Sequence, residues 1–154
     1  GHRAGTAAAQ HAAGLEVQST DPKTLMPAVA EGNPRSDVDA LKLELREVMW
    51  RQGGIRRDSE GIASGLEKVR EIADQAHRTR GINEPKQMEK FVELQLATGA
   101  AELILEAASR RQESRGVHAR SDFPEADDEA WLGHLCLQRG EDGTDWRFEP
   151  IEAE

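Results

Sequence analysis

Cysteine is almost absent from this chain: Cys136 stands alone. It can form no intrachain disulfide framework, and such sparing use of thiols fits a reducing cytoplasm. Basic residues are in deficit, 20 against 29 acidic ones for a net charge of −9, so nothing points to a nucleic-acid or anionic-membrane partner. No apolar run approaches the ~20 residues that span a bilayer, and no signal peptide is read at the start. The chain has no G-x-G-x-x-G fingerprint for a dinucleotide. His118, His134, Cys136 and the Asp127–Asp128 pair show no zinc-type spacing. The expectation is one cytoplasmic domain with no direct membrane insertion. It is large enough at 154 residues to bury a real core.

There is also no initiator methionine. The chain opens Gly1-His2-Arg3-Ala4-Gly5-Thr6 and runs on into alanines. Two origins stand open for Gly1-His2, a tag remnant or a cut within a longer protein, and the second is preferred. Residues 1–13 read as a short alanine-rich helix too thin in apolar surface to fold alone. Residues 14–34 carry loop chemistry, with Pro22, Pro27 and Gly32-Asn33-Pro34.

Three long helical patterns follow. The first starts at Ser36 or Asp37, which offers a capping oxygen, and aligns Val38, Leu41, Leu45 and Val48 on one stripe before Gly53-Gly54. The second runs from about Asp58 to Arg80 with Ile62, Leu66, Val69, Ala73 and Ala76 on one face. Gly61 and Gly65 lie on that side and predict close approach of a neighbouring helix. The third, about Pro85 to Glu113, becomes apolar nearly all round from Leu94 to Ala108. A helix with no wet face is buried on several sides. Two neighbours cannot cover it, so another body is expected to, and the chain by itself is expected to self-associate.

The fold class is therefore all-α: an antiparallel, spectrin-repeat-like three-helix bundle over 36–113, preceded by a helix and linker over 1–35. An extended tail follows over 114–154. Asp142-Gly143, between Trp131-Leu132 with Leu135-Cys136-Leu137 and Trp146-Arg147-Phe148, signals a short β-hairpin near 133–149. Trp131 and Trp146 read as core anchors.

The polar residues able to make specific contacts gather between Arg110 and His134. They are Glu113, Arg115, His118, Arg120, Asp122, Asp128 and His134, all candidates for an interdomain or partner interface. His118 near Asp122 and Glu113 offers an acid–base pair, and Arg115 with Arg120 a carboxylate clamp. Both arrangements are commoner in structural ion-pair networks, so no catalytic, cofactor-binding or metal residue is assigned. The basic clusters at Arg51, Arg56, Arg57 and at Arg110, Arg111, Arg115, Arg120 are flanked by acids and predict local ion pairs.

The ordered run Glu113-Ser114-Arg115-Gly116, His118, Arg120, Asp122-Phe123-Pro124, Asp127-Asp128, Trp131-Leu132 and His134 resembles the C-terminal signature of succinate dehydrogenase and fumarate reductase flavoprotein subunits. L-aspartate oxidase shares the first half of that signature and usually lacks the Asp-Asp-x-x-Trp-Leu-x-His continuation. Gly-x-x-Ala-Gly at the start resembles the end of the same family's FAD-binding domain. The resemblance implies a C-terminal helical domain bracing the FAD-binding and capping domains of one polypeptide, with an iron–sulfur subunit as partner. The parent would hold FAD, interconvert succinate and fumarate, and sit peripherally at the inner membrane through its partner subunits. This chain would bind no cofactor and be inactive alone. Glu113 and Arg115 would fix the turn after the third helix, while His118 and Arg120 would meet the flavin domain. An L-aspartate oxidase parent and a stand-alone helical interaction module stay open beside this reading.

Overall fold

The computed structural model describes residues 2–14, 37–79, 82, 84–140 and 143–151. The loop reading for 15–34, the turn residue Asp142 and the acidic end 152–154 lie outside the described residues. Helix α1 covers His2–Ala13 and buries none of its residues. The body is built from α2 (Val38–Gln52), α3 (Ser59–His77) and α4 (Pro85–Arg110).

The starts of α2 and α3 are set by aspartates. Asp37 accepts from the amides of Asp39 and Ala40 at 2.9 and 3.3 Å, and Asp58 accepts from Gly61 N at 2.7 Å. Each satisfies amides that the first helical turn leaves unpaired. Both long helices after the first are shorter than their patterns implied. α3 stops at His77 rather than Arg80. α4 stops at Arg110 because Arg111 turns to ψ 106, which frees Glu113 from the helix.

Ion pairs between the helices give their directions. Asp39 pairs with Lys90 and Lys42 with Glu93, a constant offset that makes α2 and α4 parallel. Arg70 reaches Glu102 and Glu106 while His77 meets Gln95, so α3 runs antiparallel to α4. This is the up-down-up bundle expected. Its core is Leu41 and Leu45 from α2, Ile62, Val69, Ile72 and Ala76 from α3, and Leu94, Ala101, Leu105 and Ala108 from α4. Each large side chain so buried contributes about 1.5–3 kcal/mol. Gly65 allows the contact anticipated for it: a Cβ there would lie 2.8 Å from Gln52 Cβ and 3.2 Å from Leu105 Cδ1. α4 is not fully covered. Leu96 and Ile104 are 70% and 51% exposed.

Beyond α4 the chain crosses the end of the bundle. Residues Ala119–Arg120 (β2) pair in parallel with Arg56–Arg57 (β1), joining two segments that sequence patterning did not connect. A single helical turn, α5 (Asp128–Trp131), leads to a hairpin of β3 (Gly133–Arg139) and β4 (Thr144–Pro150). The tryptophans differ from expectation. Trp131 on α5 and Trp146 on β4 are half-buried and outside the core cluster, because both elements follow the end of α4 instead of lying between the bundle helices. Arg111 lies over Trp131 and Arg110 over Trp146 at 5.7 and 4.8 Å, so the rings cover the end of α4.

Candidate functional site

The candidate segment is organised around two carboxylates, each gripped by arginines of this chain. Glu113 is completely buried. Its Oε1 accepts from Arg115 Nε at 2.9 Å and from Arg111, and its Oε2 accepts from Arg115 Nη2 and Asp127 N, each at 2.9 Å. The Arg115 guanidinium leads the effects that hold the Glu113 carboxyl down at about 2, against the opposing cost of burial. Arg115 is raised in turn, by Glu113 first and then by Asp128, to which it donates at 2.5 Å. Arg111 spends its other donors on Trp131 O and Gly133 O, at 3.2 and 2.7 Å.

Arg120 is the second centre, with its side chain only 1% exposed. It grips Asp122 bidentately, with Nε to Oδ1 and Nη2 to Oδ2, both at 2.8 Å. Nη1 donates to Ala108 O at 2.8 Å and Arg111 O at 3.2 Å, carbonyls that α4 leaves open at its end. Asp122 in turn accepts from Ser59 N at 2.9 Å and Ser59 Oγ at 2.6 Å, at the start of α3. A cation thus sits at a helix C-terminus and an anion at a helix N-terminus, each where the macrodipole favours it. Arg120 leads the causes that hold the Asp122 carboxyl far below the usual range. Phe123 stacks over the same guanidinium at 4.9 Å.

His118 lies between the two centres. Arg57 Nη1 donates to its Nδ1 at 2.7 Å, which assigns the ring proton to Nε2, facing Arg111 O at 3.2 Å. Burial first, then the nearby arginines, lower the His118 pKa and keep the ring neutral. Gly116, at φ +58, makes the turn that lets Arg115 and His118 exchange backbone hydrogen bonds of 2.8 and 3.0 Å. Ser114 ties the loop together, accepting from Arg120 N and donating to Phe123 O at 2.8 Å each.

Two arrangements set aside in the sequence reading do not form, and some expectations are corrected. His118 does not meet Asp122 or Glu113 but an arginine and a carbonyl, so no acid–base pair forms. Arg115 and Arg120 do not share one clamp; each closes on an internal carboxylate. Glu113 and Arg120 face inward, since their charges are worth more to the chain's own helix ends than to an outer surface. Arg57, expected in an ion pair, donates to Gly54 O and Gly53 O at 2.5 and 3.1 Å as well as to His118. Asp128 and Arg115 remain partly accessible, and His134 is exposed on β3 opposite Glu149. Sequence reasoning missed Ser59 and Ser114 as members of the network. Ser59 stands next to the α3 cap, a position from which its amide was available to a carboxylate.

Every buried side-chain nitrogen or oxygen among the described residues has a hydrogen-bond partner within the chain. No buried side-chain polar group among the described residues is left orphaned toward a flavin. No His, Cys, Asp or Glu cluster among the described residues is arranged to hold a metal. No helix among them is long and apolar enough to cross a membrane. The arrangement can hold helix ends and a turn rigid; its Ser59 hydroxyl rests on Asp122, a carboxylate that Arg120 holds far below the usual range and so makes a poor base.

Comparison with known proteins agrees with the signature. The family model described as fumarate reductase flavoprotein C-term matches residues 42–154. A fumarate reductase flavoprotein subunit of Mycobacterium tuberculosis is 29% identical over 162 residues, covering 94% of this chain and 28% of that protein. An L-aspartate oxidase of Rhodospirillum rubrum is 33% identical over 106 residues, covering 69% of this chain and 34% of that protein. In three dimensions, the chain superposes on the E. coli quinol fumarate reductase FrdA chain with a TM-score of 0.72. That match has 23% identity and covers 81% of this chain and 23% of the other. The chain thus spans roughly a quarter to a third of the length of the curated relatives named. With the family model matched over residues 42–154, most of its length, the chain belongs to the family of fumarate reductase flavoprotein C-terminal domains.

Proposed function

We propose that this chain is the C-terminal helical domain of a flavin-dependent subunit that interconverts succinate and fumarate. In this reading the parent holds FAD in domains upstream. The present chain braces the FAD-binding and capping domains and offers part of the docking face for an iron–sulfur subunit. The parent works peripherally at a membrane through its partner subunits. One observation carries the reading: the family match runs through the whole Glu113-to-His134 signature, while the charged groups of that signature are committed to holding a shape. A segment whose arginines close on its own carboxylates suits a brace.

Arg115 is the member of the network placed to serve both the chain and a neighbour, because it is partly accessible while gripping Glu113. In the longer flavoprotein, Arg115→Ala is expected to lower flavin retention and succinate oxidation together, with the helical circular dichroism of the isolated chain nearly unchanged. If the isolated chain unfolds instead, Arg115 serves the bundle and the bracing role is lost. An L-aspartate oxidase parent is the second reading, favoured by the shared first half of the signature and disfavoured by Asp127-Asp128, Trp131-Leu132 and His134. Assaying the longer protein with succinate against L-aspartate separates the two. Turnover of L-aspartate alone would sink the succinate reading.

A further inference from the structure

Between two buried charged residues, Glu113 and Arg120, the chain makes a turn in which no residue is buried. Its two ends are firmly held. Glu113 accepts from Arg111, Arg115 and Asp127 N, and Arg120 grips Asp122 and the open carbonyls of α4. The turn itself has freedom at Gly116, which takes a φ of +58 and faces open space. Arg115 and His118 bond to each other across it, so the turn can move as a unit. Toward the bundle it is fastened at His118 and Ala119. Arg57 Nη1 donates to the ring Nδ1 at 2.7 Å, Nε2 faces Arg111 O at 3.2 Å, and Ala119 N donates to Ile55 O at 3.2 Å.

We propose that residues 115–119 form a flap hinged on Glu113 and Arg120, held closed by neutral His118 and opened when that ring gains a proton. The fastening works with one form of the ring only. Nδ1 accepts from Arg57 while it keeps its lone pair; once protonated, it turns an N–H toward an N–H. The charged groups that bear on the ring come from three elements and share one sign: Arg57 of β1, Arg120 of β2 and Arg111 just past α4. The acids of the network give no relief. Glu113 is closed on Arg111 and Arg115, and Asp122 on Arg120 and Ser59. Burial disfavours the imidazolium in the same sense. A protonated ring is therefore better placed in water, and leaving for water takes it off Arg57.

Opening moves one side of the seam and leaves the other in place. Arg57 keeps its bonds to Gly53 O and Gly54 O. Val117, at the tip of the flap, swings away from Trp50 and Ile55, with which it lines a shallow hollow. The apolar outline of this end of the bundle thus changes with pH. The direction is fixed by the ring: the flap is closed above 6.5 and opens as pH falls through the lower value that His118 has when closed.

Amide hydrogen exchange of the full chain, followed by NMR, tests the flap. Relative to an unstructured amide, the protection of Ala119 N is expected to fall at least about threefold from about pH 7.5 to about pH 5, with the midpoint at which the His118 ring titrates. Local opening exposes little surface, so low urea should leave the Ala119 rate nearly unchanged while it speeds the core amide of Leu105. In His118→Gln, which cannot take up the proton, the pH dependence at Ala119 should vanish. Protection that stays level while His118 titrates overturns the flap. So does exchange of Ala119 that rises with urea in step with Leu105, because the proton would then act on the whole fold. Both of these readings are made on the unaltered chain and hold even if His118→Gln fails to fold. A folded His118→Gln protein that keeps the pH dependence also overturns the assignment, since another group would then carry the proton.

Discussion

At the scale of single residues, the two arginine–carboxylate centres differ in how deeply they are committed. Arg120 is buried and every direction of its guanidinium is used. Arg120→Ala would leave Asp122 without its partner and the end of α4 without its donor. Breaking such a buried pair costs about 3–5 kcal/mol, a large share of the ~5–15 kcal/mol that holds a domain folded. Urea denaturation should show it, and a loss below about 1 kcal/mol would mean water replaces the guanidinium freely. Arg120→Lys should recover only part, since an ammonium cannot close both carboxylate oxygens in one plane. The same centres set the pH response. Glu113 and Asp122 titrate below their unfolded values of 4.5 and 3.8 when folded. The stability they supply is complete above those values and is lost as pH falls through the lowered folded ones. His118 is also lowered, from 6.5. Its neutral form is the folded form, so its share is complete above 6.5 and is lost as pH falls through the folded value. Unfolding midpoints should fall between pH 7 and 5, and His118→Gln should flatten that part of the curve. A wild-type curve that is already flat there would show His118 to be uninvolved.

At the scale of elements, the sequence was informative wherever a local rule applied. Asp37 and Asp58 stand where a helix needs an acceptor, and the apolar spacing after each is regular enough to locate α2 and α3. The hairpin followed from the Asp142-Gly143 turn signal between two apolar stretches, with Leu135 now paired against Phe148. The site was legible as a cluster of residues but not as a set of partners. Two-residue strands such as β1 and β2 carry no period, and their pairing depends on where the end of α4 delivers the chain. Nothing in the order Arg111, Glu113, Arg115, Arg120, Asp122 says which arginine closes on which carboxylate, because that depends on the turn at Gly116. Glycines show the same divide between local and tertiary rules. In α4, Gly99 is exposed with nothing within 4 Å of an added Cβ, so Gly99→Ala should stabilise by up to about 1 kcal/mol through helix propensity. Gly65→Ala meets Gln52 Cβ, an atom fixed to its backbone, and Leu105. There overpacking of about 1–3 kcal/mol outweighs the same propensity gain. Thermal unfolding of the two variants should therefore move in opposite directions, and a shared direction would show that α2 and α3 can part without cost.

At the scale of the whole molecule, the chain looks underdressed along α4. Leu96, Ala100 and Ile104 follow one another at four-residue spacing on an exposed line, beside the groove where Ala97 and Ala101 face Leu45 and Met49 of α2. The core lies on the adjoining face of the helix, through Leu94, Ala101, Leu105 and Ala108. The two sets can therefore be separated by substitution. If the exposed line is surface awaiting cover, then Leu96→Lys with Ile104→Lys removes apolar area from water without touching the core. Stability should then stay within about 0.5 kcal/mol, the usual range for surface changes. Sedimentation of the unmodified chain should show association that grows with concentration, and the double variant should remain a monomer over the same range. Restoring the lysines to alanine should give intermediate behaviour, since alanine keeps the helix and presents less apolar area. Should the double variant instead unfold at lower urea, those two side chains contribute to the bundle's own packing, and α4 needs no second body to cover it.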